Sequence, residues 1–337
     1  MKLFSKKEVK KTEEEKIEAR REEVLAAGRK FKYPLQWTRY RVVINTVLIA
    51  LVVFTMVVMG VWLALYRVGM TDDLLFNVTK VVPLSVASVD EEKVRFSDYL
   101  MFYRSSMISI ERQSGSQFDE ESFDELRAKY KRAALTEAEK YTYAIKLAKE
   151  QNITVTQEEI NEEFNRHLNI GGVDRSEEGF LKIIRDNFGL SKSEYERMLY
   201  LTLMKAKVEI AIDEKANKTA DKVEKMLVEN GNDYKSVAEQ LGDEISYEET
   251  GGMVDDKNID GGRAAEAMRL EPDQSSGKFV SSNGDGYYFV KLIKKDESEV
   301  DFVSIKVPFT EFEERFDELK EDDKIVEYIE TGEDEQI

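Results

Sequence analysis

One histidine, His167, and no cysteine stand in a chain of 337 residues that holds 68 Asp and Glu and 50 Lys and Arg. The histidine lies one turn beyond Phe164 on a polar helical stretch, which reads as a surface or packing position rather than a catalytic one. Without cysteine there is no disulfide framework, thiolate metal site, cysteine nucleophile or lipid-modified cysteine anchor. Carboxylates are so common that no pair stands out for acid–base work. No Asp, Glu and His share an element at metal-ligand spacing. Gly251-Gly252 and Gly261-Gly262 lack both the spacing and the following Lys-Ser/Thr of a phosphate loop. No metal and no cofactor is expected.

The elements that would position any chemistry begin with a membrane anchor. Val42 to Tyr66 is an uncharged run, VVINTVLIALVVFTMVVMGVWLALY. At 1.5 Å per residue it makes a helix roughly 37 Å long, enough to cross ~30 Å of hydrocarbon with tilt. Trp37 and Tyr40 flank one end, Trp62 and Tyr66 the other, where amphipathic rings favour the headgroup zone.

Charge sets the expected orientation. Residues 1–41 carry 13 Lys and Arg against 7 Asp and Glu, a net of +6. The whole chain is −18, so residues 42–337 carry −24. The basic N-terminal side should stay in the cytoplasm and the acidic body should be translocated. The first small-residue cleavage candidate, Ser85-Val86-Ala87, lies about 20 residues past the apolar run, too far for a signal peptide. An uncleaved, single-pass anchor in the cell membrane is expected. The acidic balance argues against nucleic acid as a partner, and the exported residues are numerous enough for two domains.

Before the anchor, EVKKTEEEKIEARREEVLAAGRK predicts a charged surface helix ended by Gly28 and Pro34. After it, Phe76–Val89 is rich in β-branched residues and predicts one or two short strands. Helical periodicity then runs from Phe96 to about Ile110, closed by Gln113-Ser114-Gly115-Ser116, and from Phe123 to Glu150. Thr156 with Glu159, and Ser191 with Glu194, are capping boxes that open two further helices. Between them a short helix over Phe180–Phe188 is stopped by Gly189. A polar boundary falls at Asp213–Lys218. Beyond it come helices over Thr219–Glu229 and Tyr234–Leu241, glycine-rich loops, and a hairpin of Gly286–Ile293 with Val300–Val307. Thr310 with Glu313 is expected to cap a last helix, and Gly332–Ile337 is expected to be disordered.

Three phrases, SVASVDEEKVRFSDYL, AIKLAKEQNITVTQEEINEEF and FLKIIRDNFGLSKSEYERMLYLTLMKAKV, resemble the N-terminal chaperone domain shared by SurA, PpiD and PrsA-type foldases. Ala148, Ile153, Val155 and Thr156 fall on that family's A-x-x-x-x-I-x-V-T pattern. Gly189, Leu190, Ser191 and Tyr195 fall on its G-L-S-x-x-x-Y helix start. The segment that follows resembles a parvulin (PpiC) peptidyl-prolyl isomerase domain. Asn232–Leu241, Gly251-Gly252-Met253, Ala267–Ser276 and Gly286–Leu292 match its motifs in order. The first strand of that domain is missing before the Thr219 helix, and its pattern returns as Ser304-Ile305-Lys306-Val307. That displacement implies a circular permutation, with Val300–Val307 pairing antiparallel to Gly286–Ile293.

The parvulin resemblance implies proline isomerisation, which lowers a barrier near ~20 kcal/mol without covalent chemistry. It needs an apolar slot for the proline ring and hydrogen-bonding groups that favour the twisted amide. By the resemblance, Ser304 and Tyr288 stand where the two family histidines belong. Asp243 takes the acidic position, Ile259 replaces the pocket methionine, and Arg263 falls near the pocket phenylalanine. Serine and tyrosine still form hydrogen bonds, but an arginine spoils an apolar wall. A working isomerase and a scaffold kept for shape or peptide binding both remain open.

The fold expected is α+β: a charged tail (1–41), a transmembrane helix (42–66), a SurA-N-like helical domain (76–212), a small antiparallel-sheet, circularly permuted parvulin-like domain (219–309), and a C-terminal helix with acidic tail (310–337). The function the resemblance implies is that of an extracytoplasmic foldase holding unfolded or nascent exported polypeptides. The alternative is a catalytically inactive membrane-tethered scaffold for one fixed partner. Tyr99, Phe102, Tyr103, Met107 and Met198 are read either as client surface or as core.

Overall fold

A computed structural model of the protein describes residues 5–114, 120–169, 175–258 and 260–331. It divides into two compact units, Met1–Val68 and Gly69–Ile337.

The first unit is one helix, α1 (Ser5–Tyr66), 62 residues long. It runs through Gly28 and Pro34, where the sequence predicts a stop. A proline removes one backbone hydrogen bond and leaves the ladder intact on either side. Tyr40–Tyr66 is long and apolar enough to cross a membrane. Its two threonine hydroxyls are satisfied within the helix: Thr46 Oγ1 donates to Val42 O and Thr55 Oγ1 to Leu51 O, both at 2.9 Å. That is the arrangement a lipid environment demands, because no water is present to take those bonds. Trp62 and Tyr66 stack at the end of this segment, 6.0 Å between ring centroids.

The second unit opens with α2 (Asp73–Val81), where the β-branched composition predicts strand. Asp72 decides the matter, since its Oδ1 accepts the Leu74 and Leu75 N–H groups at 3.1 and 3.2 Å. Leu75, Phe76 and Thr79 then fall on one buried helical face. Capping and burial together outweigh a strand propensity spanning about 1 kcal/mol. The expected strand is confined to β1 (Ser85–Val89), which pairs antiparallel with β2 (Glu92–Arg95). Asp90 and Glu91 turn the hairpin with both φ values positive, 44° and 73°, as a right-twisted two-residue loop requires.

Five helices form the bundle: α3 (Phe96–Ser114), α4 (Glu120–Gln151), α5 (Gln157–Leu168), α6 (Glu177–Phe188) and α7 (Lys192–Ile212). Both expected capping boxes are formed, Thr156 with Glu159 and Ser191 with Glu194. Gly189 closes α6 in the left-handed conformation at φ 65°. The bundle core includes Phe96, Leu100, Leu135, Ala144, Leu201 and Val208, each at most 1% exposed. Full burial of such a side chain stabilises by roughly 1.5–3 kcal/mol.

A second core follows, built around a five-stranded antiparallel sheet. Helices α8 (Glu214–Glu229) and α9 (Tyr234–Leu241) cover one face. The strands are β3 (Ser246–Glu249), β4 (Val254–Asp255), β5 (Phe279–Val280), β6 (Gly286–Lys295) and β7 (Glu299–Pro308). Their order is β3-β7-β6-β5, with β4 also on β7. The expected hairpin is present, with Phe289 opposite Ile305 and Val290 opposite Ser304. Helix α10 (Arg263–Met268) packs on the other face over Val290, Leu292 and Phe302.

The chain then returns to the bundle. Phe312 and Phe316 of α11 (Glu311–Glu321) set their rings against Tyr143 of α4, at 5.4 and 6.1 Å. Strand β8 (Ile325–Glu327) pairs with β1, and Arg132 of α4 binds Glu327 at 2.5 Å. The side chain expected to cap α11, Thr310, makes no capping bond. Asp213 does so from the far end of α7, its Oδ2 accepting Thr310 N–H at 2.8 Å and Glu311 N–H at 3.1 Å. The expected disorder of residues 332–337 falls outside the described residues.

Candidate functional site

Alternation along β7 puts Phe302, Ser304 and Lys306 on one face of the sheet, and the register brings Tyr288 and Val290 of β6 and Glu248 of β3 alongside them. Helix α10 covers the Val290–Leu292–Phe302 end. Phe302 and Ser304 form the floor of a groove of about 200 Å³, whose walls include Glu248, Thr250, Asp260 and Arg263.

Arg263 organises this groove. Its Nη1 donates to Ser304 Oγ at 3.3 Å and pairs with the Glu248 carboxylate, and its Nε donates to Asp260 O at 2.9 Å. The guanidinium lies 5.2 Å over the Tyr288 ring. Burial disfavours the charged guanidinium, but the Glu248 carboxylate more than offsets this and raises its pKa. Arg263 is held there by the turn before it. Asp260 accepts the Ala264 N–H to start α10, while Gly261 and Gly262 adopt φ of 79° and 90°.

Tyr288 is nearly buried, 5% exposed, and stacks on Phe279 at 6.2 Å. Its hydroxyl donates to Asp285 Oδ2 at 3.3 Å, and Lys306 Nζ sits 5.8 Å from its ring while pairing with Asp285. Burial raises the Tyr288 hydroxyl pKa. Burial would lower the Lys306 pKa, yet the Asp285 carboxylate raises it. Asp285 is pulled down by Lys306 and Ser281 against its own burial. Arg263, Lys306 and Asp285 therefore sit in their charged forms at neutral pH, and Tyr288 in its neutral form. The arrangement can donate hydrogen bonds and hold a carboxylate or carbonyl. The groove is lined by the charged Arg263, Glu248 and Asp260 beside the apolar Val254 and Phe302.

The structure thus brings Ser304, Tyr288 and Arg263 together. Asp243 lies in an exposed turn, Gly242–Glu244, after α9. Among the described residues it shares no hydrogen bond or ion pair with those three. Ile259 falls outside the described residues. Sequence reasoning missed Glu248, Asp260, Asp285, Lys306 and Phe279. The alternation of β7 was enough to find Lys306, but the others depend on strand register and loop path.

His167 has a packing role. Its Nδ1 meets Tyr195 Oη at 2.5 Å and its Nε2 meets Glu163 Oε1 at 3.0 Å. Burial, with Arg166 nearby, lowers its pKa and keeps the imidazole neutral. The reading of α3 as client surface does not hold for Tyr99, Tyr103 and Met107, which are 2%, 5% and 7% exposed. Phe102 is half-buried and stacks on Tyr141 at 5.3 Å, and Met198 is half-buried.

The class that the fold defines is a capped helical bundle with a small accompanying sheet, joined in sequence to a long apolar helix. The family model described as a SurA-like N-terminal domain matches residues 35–209, just over half of the chain, and the protein belongs to that family. The match takes in the apolar helix and the bundle and stops before α8, so the sheet bearing the groove lies beyond it. No curated protein and no solved structure matches the chain.

Proposed function

We propose that the protein is a membrane-anchored extracytoplasmic chaperone that holds unfolded exported polypeptides. The observation that carries this reading is the SurA-like N-terminal match over 35–209, which joins a chaperone-type bundle to the apolar segment Tyr40–Tyr66. The basic residues before the span and the net −24 after it support a cytoplasmic N-terminus and an exported body.

Residues 219–309 are read as a circularly permuted, degenerate parvulin-like domain. The pairing of β7 with β6 on one side and β3 on the other supports the permutation, since it gives the late strand a central place in the sheet. The Arg263–Glu248 pair in the groove supports a binding role over proline isomerisation. A peptide carbonyl or carboxylate is the group that Arg263 and Ser304 are equipped to receive.

The test is suppression of aggregation. The full chain in lipid nanodiscs is mixed with a chemically unfolded exported protein, and light scattering is followed. Slowed aggregation at near-stoichiometric ratio is expected. Scattering identical to that with empty nanodiscs removes the chaperone reading and leaves the fixed-partner scaffold.

A further inference from the structure

Helix α2 is apolar on two sides. Leu75, Phe76 and Thr79 face inward, while Leu74, the half-buried Val78 and Val81 line up at i, i+4 and i+7 on another side, and the extended C-cap residue Val82 lines the same groove. Leu74, Val81 and Val82 are 68%, 84% and 44% exposed. A stripe of this kind on a nine-residue helix does nothing for the fold of the unit that carries it. Val228, of comparable exposure at 76%, has no such row beside it on α8 among the described residues.

The charges beside the stripe are already matched within the unit. Asp72 is taken up by the helix cap, Asp73 pairs with Arg104, and Lys80 binds Glu194 at 2.9 Å. Its position in the chain names what covers it. Leu74 lies eight positions after Tyr66, the end of the apolar span, a reach of at most ~28 Å. The intervening residues add Val68 and Met70, 69% and 45% exposed. Apolar side chains therefore continue from the stacked Trp62–Tyr66 pair to Val82, interrupted by few charges.

We infer that the outer face of α2 lies in the bilayer interface on the exported side, as a short amphipathic foot that fixes how the bundle meets the membrane. This rests on the membrane-anchored reading. Neutral lipid suffices, because the contact is apolar and the adjacent charges are compensated.

The full chain is reconstituted in vesicles of phosphatidylcholine brominated on its acyl chains, and tryptophan fluorescence is compared with that in unbrominated vesicles. Three variants are read: W37F, which leaves Trp62 as the reporter of the span; W37F/W62F/V81W; and W37F/W62F/V228W. Quenching of Trp62 and of the V81W indole by ~2-fold or more, with V228W unaffected, is expected for burial 5–10 Å into the interface. Trp62 quenched with V81W no more quenched than V228W overturns the inference and spares the anchor. Trp62 unquenched removes the anchor, and this inference with it. Circular dichroism of each variant against wild type checks that α2 and the bundle are retained, and V78W replaces V81W should the latter fail to fold.

Discussion

Asp213 and Thr310 are 97 positions apart, yet the Asp213 Oδ2 accepts the Thr310 N–H at 2.8 Å, while its Oδ1 accepts Ala216 N–H at 2.8 Å. One carboxylate, 1% exposed, therefore starts α8 and α11 together at the point where the chain leaves and re-enters the helical bundle. D213A removes both caps and leaves buried N–H donors unpaired. A cap is worth ~1 kcal/mol and an unsatisfied buried donor ~1–3 kcal/mol, so a loss of about 2–4 kcal/mol in urea unfolding is expected. D213N, which keeps one acceptor, should fall between. A D213A protein as stable as wild type would show that the two helix starts are independent.

The returning segment should be needed by the bundle. Phe316 is fully buried against Tyr143, and its truncation in F316A is expected to cost about 3–5 kcal/mol. Deleting residues 310–337 should likewise lower the melting temperature of the bundle. Unchanged protection of α4 in hydrogen exchange after that deletion would refute it.

At the hairpin, Gly286 adopts φ 153°, and a Cβ there would meet Val307 O at 2.4 Å. Backbone cannot step aside as a flexible side chain would, so G286A should destabilise by about 2 kcal/mol or more. The same change at Gly28, where nothing lies within 4 Å, should be neutral or slightly stabilising. Thermal melts of the two variants give the comparison.

His167 gives a pH signature. Burial places its folded pKa below the ordinary 6.5, so the unfolded chain binds the proton first as pH falls. Its contribution is complete above about pH 6.5 and is lost as the pH drops through that value toward the folded pKa. Between pH 7.5 and 5.5, wild type should therefore lose more stability than H167N. Equal slopes would place the imidazole in water.

The groove should be a poor isomerase. Cis-to-trans rates across a panel of Xaa-Pro peptides are expected to match the uncatalysed rate, because Arg263 and Glu248 line the space a proline ring would enter. Catalysis that Y288F or D243N abolishes would instead mean that the family chemistry survives without histidines.

Much of this protein was legible in its residues because the signals are local. The uncharged run, both capping boxes, the Gly189 stop and the β6–β7 hairpin are each specified within a few positions by periodicity, capping atoms or turn length. The readings that failed were local rules overruled from a distance or by a neighbour. Phe76–Val81 is helical because Asp72 caps it and its inner face is buried, and α1 passes Pro34 because one lost bond does not end a long ladder. Thr310 stands at a helix start without serving it, since Asp213 arrives from across the fold. The groove was half legible: alternation put Ser304 and Lys306 on one face. Only the register of β3 on β7, and the glycine turn before α10, set Glu248 and Arg263 against them. Composition fixes which elements form, by energies acting within a turn or a strand. Which charges meet is decided by tertiary pairing, because attraction between charges depends on distances that only the packed sheet defines.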